Sequence, residues 1–165
     1  QYVVGTHNAV LDTTGDMTAS VWFRLSATAS DWVRVLGKGD GNTGTRTYGL
    51  WYNTIAGNFL YQRYASTGNA DVLYAATVNL NTWYNMVGVS SGTTHTLYLN
   101  GSQVAQVTNA PSSFYSSTMG YTLGYSGTIH TYHTGLISQG CVYNRALSTP
   151  ELTTNFNSLR YRYGV

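Results

Sequence analysis

Period-two alternation of apolar and polar residues runs through most of this chain. In "TASVWFRL", Ala19, Val21, Phe23 and Leu25 share one side, while Thr18, Ser20, Trp22 and Arg24 share the other. Side chains of an extended strand point alternately to its two faces, so this pattern predicts a strand with one face in a core. In "HTLYLNGSQVAQV", Leu97 and Leu99 face one way, Asn100-Gly101 follows, and apolar positions resume at Val104. An Asn-Gly pair readily takes the left-handed backbone of a two-residue hairpin turn, which predicts an antiparallel pair. "TWYNMVGV" is apolar on both faces, as in a central strand covered on both sides. Further extended segments are "WVRVLGK", "TYGLWY", "NFLYQRY", "DVLYAA", "YTLGY" and "GLISQGCVY", separated by Gly and Ser/Thr/Asn clusters. About ten short strands without a strand–helix–strand rhythm predict an all-β, two-sheet antiparallel sandwich.

One helix breaks the pattern. Ser148-Thr149-Pro150-Glu151 has the capping-box spacing, in which the residue three after the cap reaches back to the cap amide. Leu147 and Leu152 supply the matching hydrophobic staple, and Pro150 sits in the first turn, where no helical hydrogen bond needs its missing N–H. Leu152, Phe156 and Leu159 then share one helical face. Glu151 is the sole glutamate of the chain, and the cap makes it structural.

Composition narrows the chemistry. The 165 residues fit a single domain over 1–165, and the extended opening "QYVVGTHN" suggests a processed chain or the C-terminal part of a longer one. Charged residues make up 8% of the chain, against roughly 25% in ordinary soluble domains. A polar, nearly uncharged surface suits a protein packed against neighbours, or one that meets neutral, hydroxyl-rich ligands. Arg145, Arg160 and Arg162 crowd the C-terminus, but three arginines do not make a nucleic-acid footprint and read as hydrogen-bonding forks. Cys141 is the only cysteine, so no intrachain disulfide forms, and it reads as a small buried residue. No apolar run reaches the length of a membrane helix.

Enzyme chemistry finds little footing. With Glu151 in a cap, only Asp12, Asp16, Asp31, Asp40 and Asp71 remain, all read as turn or strand-edge residues, and a two-carboxylate glycosidase is not expected. "GTIHTYHTG" offers His130, Tyr132 and His133 for a lyase, but positions 130 and 133 fall on opposite faces of a strand. His7 and His95 stand alone. No nucleophile elbow or phosphate loop is present.

The succession "MTASVWFRL", "VLGKGD", "YGLWY", "TWYNMVGVSSGTTHTLYLNGSQV" and "GLISQGCVYNRALSTPEL" resembles the laminin-G-like, concanavalin A-like jelly-roll domains, in particular their bacterial and phage branch. The resemblance implies two curved antiparallel sheets with a short C-terminal helix, and mostly non-catalytic modules that bind glycans or proteins, often with calcium at the rim. This chain departs from it in carrying Ser138 and Gln139 where many relatives have an acidic pair. The glutamates of the hydrolases on this fold and the Gln-x-His strand of its lyases are also missing. The ending "TTNFNSLRYRYGV" is similar to the C-termini of virion structural proteins.

Three functions follow as expectations. The first is a non-catalytic structural or interaction module on a virion exterior, a decoration or fibre domain. The second is a glycan-binding module, secreted or on a virion, with Trp51, Tyr61, Arg63, Tyr125 and Tyr132 as the ligand-binding residues and Trp22 and Trp83 assigned to packing. The third is a polysaccharide lyase. Expected partners are protein neighbours in an assembly, further copies of the chain, or cell-surface glycans, in an extracellular or virion-surface setting. No cofactor is required. A calcium ion would draw on Asp40, Asn42 and Asp71 with backbone carbonyls, although an Asp beside Gly and Asn is ordinarily a turn residue.

Overall fold

A computed structural model describes residues 2–39, 46–127 and 131–165. Its strands are β1 (Val3–Val4), β2 (Met17–Leu25), β3 (Val33–Lys38), β4 (Tyr48–Asn53), β5 (Asn58–Ala65), β6 (Gly68–Ala75), β7 (Trp83–Ser91), β8 (Thr94–Leu99), β9 (Ser102–Val107), β10 (Tyr121–Leu123) and β11 (Gly135–Tyr143). They form a six-stranded sheet, β1-β10-β3-β4-β5-β6, and a five-stranded sheet, β11-β2-β7-β8-β9, with every pairing antiparallel. One α-helix, α1 (Thr149–Tyr163), follows the last strand. The predicted two-sheet jelly-roll sandwich with a C-terminal helix is the architecture found.

The alternation decides which residues enter the core. Ala19, Val21, Phe23 and Leu25 of β2 are all fully buried, facing Tyr52, Phe59 and Tyr61 of the other sheet. The central strand β7 is covered on both sides, Met86 by the inter-sheet core and Val87 and Val89 by Leu147 and Leu152 around α1. Asn100 and Gly101 take φ of 48° and 79° at the β8–β9 hairpin, and a Cβ on Gly101 would also come within 2.6 Å of the Phe156 ring.

A polar chain crosses the core. The Tyr61 hydroxyl lies 2.7 Å from Ser90 Oγ, which lies 2.7 Å from His95 Nδ1, and His95 Nε2 lies 2.9 Å from the Pro111 carbonyl. A carbonyl only accepts, so Nε2 carries the proton, Ser90 donates to Nδ1, and Tyr61 donates to Ser90. Burial holds the His95 imidazole below its ordinary pKa and so keeps it neutral. Gly88 lies flat beneath this tyrosine, where an added Cβ would stand 2.4 Å from the Tyr61 ring. Because the hydroxyl is anchored at Ser90, the ring has nowhere to go. Gly88→Ala is expected to destabilise the domain by about 2 kcal/mol or more, read as a lower denaturation midpoint in urea.

The helix starts as its cap predicts. Glu151 Oε2 accepts from the Ser148 amide at 2.8 Å and from the Ser148 hydroxyl at 2.9 Å. The Arg145 guanidinium adds a two-pronged pair with the same carboxylate, at 3.0 and 2.7 Å. These donors, Arg145 first, pull the Glu151 carboxyl down to about 2. An unfolded glutamate takes up its proton at a higher pH, so between about 4.5 and about 2 the unfolded chain binds more protons and stability falls as the pH falls. Glu151→Gln is therefore expected to lower the melting temperature at neutral pH, and the difference from wild type should vanish by pH 2.

Two aspartates read as turn residues prove to tie distant segments together. Asp16 Oδ1 accepts from the Gly92 amide at 2.7 Å, and Asp12 forms an ion pair at 2.6 Å with Lys38, whose side chain is fully buried. The sequence separation of these partners hides them from any local pattern.

Candidate functional site

The outer faces of the two sheets are used differently. Helix α1 covers much of the five-stranded sheet, with Phe156 and Tyr163 stacked on Trp22 at 5.7 and 4.2 Å and Tyr163 against Trp83 at 4.6 Å. The packing roles expected for Trp22 and Trp83 match this arrangement. On the outer face of the six-stranded sheet, Trp51 is only 1% exposed, with the Arg34 and Arg46 guanidinium groups 5.3 and 4.7 Å from its ring centre.

Three of the five residues expected to meet a ligand are thus not available at the surface. Trp51 is held beneath arginines. Tyr61 belongs to the inter-sheet core, and Arg63, also fully buried, donates to the carbonyls of Gly15 and Thr13 while lying 3.9 Å from the Phe114 ring centre. Burial lowers the Arg63 pKa, and its guanidinium is committed to bonds inside the fold. The correction has a simple origin: alternation divides a strand into two faces without saying which one is covered.

Tyr125 and Tyr132 have a different setting. They lie in the connection between β10 and β11, at the margin where β1, on the edge of one sheet, and β11, on the edge of the other, come together. Their rings stack at 5.3 Å with planes 11° apart. Tyr2 completes the group, 4.7 Å from Tyr125 and 5.3 Å from Tyr132. Tyr2 and Tyr132 are 52% and 53% exposed and Tyr125 is half-buried between them, so the cluster lies at the surface rather than in the core.

The cluster is held from behind. The Tyr125 carbonyl accepts from Arg34 Nε at 3.1 Å and from the Thr122 hydroxyl at 2.6 Å. Gly124 donates its amide to Val35, and the His133 amide returns to the Gly124 carbonyl, both at 3.1 Å. The His133 ring turns inward, its Nδ1 3.1 Å from the Tyr52 hydroxyl and its plane edge-on to Phe23 and Tyr52. With His133 anchored inside, its neighbour Tyr132 is carried outward. Burial keeps the His133 imidazole below its ordinary pKa, which favours the neutral form.

A groove of about 600 Å³ runs beside the cluster, lined by Tyr2, Val3, Leu123, His133, Leu136 and Ile137 among others. A second hollow of about 290 Å³ lies on the other flank of Tyr132, with Thr28, Ser30, Thr131 and Thr134 in its wall. Neither wall carries a Lys, Arg, Asp or Glu among the described residues. Rings that present apolar faces beside hydroxyl groups can stack on the C–H face of a pyranose while bonding its hydroxyls. Nothing in the alternation pointed to Tyr2, because β1 is only two residues long.

The remaining candidates fall elsewhere. Asp71 sits on β6, where burial raises its carboxyl pKa against the opposing pull of Gln62 and Arg46. Asp40 and Asn42, the other residues considered for calcium, lie outside the described residues, as does His130. Among the described residues, no three His, Cys, Asp or Glu side chains gather as metal ligands would. Ser90 and His95 make a serine–histidine contact, but both are buried and their outer partners are Tyr61 and a backbone carbonyl.

Comparison with known proteins agrees with this architecture. The fold is similar to the binding domain of Paraclostridial Mosquitocidal Protein 1, with a TM-score of 0.75, 16% identity, and coverage of 95% of this chain and 41% of that one. It is also similar to HCR/D-Sa-GBL1/C, with a TM-score of 0.71, 15% identity, and coverage of 97% and 40%. A third similar structure is the CBM40 of the Ruminococcus gnavus IT-sialidase bound to α2,3-sialyllactose, with a TM-score of 0.74, 18% identity, and coverage of 90% and 86%. The chain spans about two fifths of the length of the first two, and at these identities the likeness is one of fold. No match is found among curated protein sequences. A laminin-G-type family model, described as Concanavalin A-like lectin/glucanases superfamily, matches residues 1–153, and the chain belongs to that superfamily.

Proposed function

We propose that this domain is a non-catalytic recognition module that binds a glycan on Tyr2, Tyr125 and Tyr132, working outside the cell, either secreted or on a virion surface. The observation that carries this reading is the surface three-ring cluster, with Tyr2 and Tyr132 exposed on a half-buried Tyr125, fixed from behind by Arg34 and His133. Buried aromatic clusters are ordinary, but exposed ones leave apolar surface in water and are characteristic of binding sites. A relative in fold that is titled a carbohydrate-binding module with a bound sialyllactose adds support. The test is a broad glycan array, probed with calcium and again with chelator. Binding to a defined glycan is expected. Loss on chelation would show that an ion supports binding, and silence under both conditions would contradict the reading.

Display on a virion exterior, docked against protein neighbours, is the second reading. It is favoured by the open edge strand β11, which has no charged residue in "GLISQGCVY", and by Val3, Val4 and Leu136, each about half exposed. Uncharged free edges invite strand pairing. Native mass spectrometry should then show association with assembly components or with further copies, and a strictly monomeric, partnerless domain would contradict it.

A further inference from the structure

Helix α1 does not lie evenly on the five-stranded sheet. At one end Trp22, Phe156 and Tyr163 stack, and at the other Val87, Val89, Leu147 and Leu152 form an apolar cluster. Between these two contacts the sheet presents polar side chains. Ser20 of β2 pairs in register with Cys141 of β11, and Trp22 lies between Gln139 of β11 and Asn85 of β7. The helix answers with Asn155 and Ser158. The result is a cleft of about 240 Å³, open to solvent, whose walls carry no charged residue among the described residues.

A helix on a sheet normally closes with interdigitated apolar side chains and leaves no gap of this size. Here the polar groups serve one another only in part: the Tyr143 hydroxyl bonds Asn155 and Cys141, while others turn to the open cleft. Asn85 is only 4% exposed, yet its side chain makes a single hydrogen bond, donated to Ser20 Oγ at 3.5 Å. A carboxamide can make four, and a buried one left short is destabilising. Gln139 has only a 3.5 Å contact to the Cys141 sulfur. The cleft therefore gathers solvent-facing amide donors and acceptors beside apolar side chains, Val87, Leu152 and Leu159 among them. Its volume corresponds to about eight waters, or one sugar ring.

We infer that the cleft between α1 and strands β2, β7 and β11 is a second ligand site, for a neutral, polyhydroxylated molecule of monosaccharide size. Asn85, Gln139 and Asn155 bond its hydroxyls, and Val87, Leu152 and Leu159 pack against its C–H surface. Uncharged walls offer nothing to offset the desolvation of a carboxylate or phosphate, so acidic sugars are excluded. The site uses none of the three tyrosines and stands or falls independently of them.

Cys141, the sole cysteine, lines the cleft and makes occupancy measurable. Alkylation of the full chain with iodoacetamide, followed by intact mass, is compared with and without glucose, galactose or N-acetylglucosamine, and with glucuronate or N-acetylneuraminate. At about twice its Kd a neutral sugar should slow labelling about threefold, since occupancy protects as 1 + [L]/Kd. The acidic sugars should leave the rate unchanged. Resonance shifts of the Trp22 indole and the Asn85 side-chain amide provide a second readout if the thiol labels slowly. Asn155→Ala and Gln139→Ala alter exposed residues and should remove the protection without unfolding the chain, whereas Tyr132→Ala should keep it. Equal labelling and static resonances with every neutral sugar would mean that the cleft holds water only and would overturn the inference. Equal protection by acidic sugars would overturn it as well.

Discussion

Asn in place of Asp12 is expected to destabilise the domain by about 3 kcal/mol, at the lower end of what stranding one partner of a buried ion pair costs. Lys38 extends from β3 into a pocket where its side chain is fully buried, with Nζ 2.6 Å from Asp12 Oδ1. The same ammonium donates to the carbonyls of Met119, at 2.9 Å, and Ser117, and approaches His7 Nδ1 at 3.2 Å. Carbonyls can orient the charge, but among the described residues only Asp12 neutralises it. Asparagine keeps the shape and a hydrogen bond while leaving the positive charge without a counter-ion in a low-dielectric setting. Asp12 itself retains some solvent contact, which moderates the loss. For a domain of this size the fall in melting temperature should be about 6–12 °C. The double change Asp12→Asn/Lys38→Met removes both charges and should recover part of the loss, which a mutant cycle measures. The pair also ties the segment after β1 to the segment before β10. Those two run side by side, with the Gly5 amide donating to the Tyr121 carbonyl at 2.9 Å, so the single variant should loosen the edge that carries Tyr2.

The largest effect on binding is expected from the tyrosines. Tyr132→Ala removes an exposed ring, so the folded chain loses little and the melting temperature should stay within the small range typical of surface changes. A ring at the centre of a binding site is worth about 2 kcal/mol, so glycan affinity should fall about 30-fold, and further when Tyr125→Ala is added. The Tyr125 variant keeps the carbonyl that Arg34 and Thr122 hold, because those bonds go to the backbone. Trp51→Ala gives the opposite pattern: it empties a buried position between two guanidinium groups and should lower stability first. Paired measurements of stability and affinity on these variants separate a binding residue from a packing residue.

Most of the strands were legible because local rules and global packing coincide in them. The alternation in β2, the Asn-Gly turn after β8 and the Ser-x-x-Glu cap of α1 each depend on neighbours within a few residues. The candidate site depends on none of these. Tyr2, Tyr125 and Tyr132 are brought together by the antiparallel pairing of β1 with β10, across more than a hundred residues of sequence. Tyr61 lies within β5 and Tyr132 in the connection before β11, and one points into the inter-sheet core while the other points into solvent. What separates them is the inward anchoring of His133 on Tyr52, a long-range contact. Asp12 misleads in the same way, with a turn-like setting and a partner on β3.

The decisive experiment is a calorimetric titration of the wild-type chain and Tyr132→Ala with the strongest glycan from the array, with thermal unfolding of both proteins run alongside. If the tyrosine edge is the binding site, the wild type binds, the variant binds about 30-fold more weakly, and the two melt together. Equal affinity in the two proteins would contradict a site on these rings, and loss of affinity only in step with loss of stability would reduce the cluster to part of the fold.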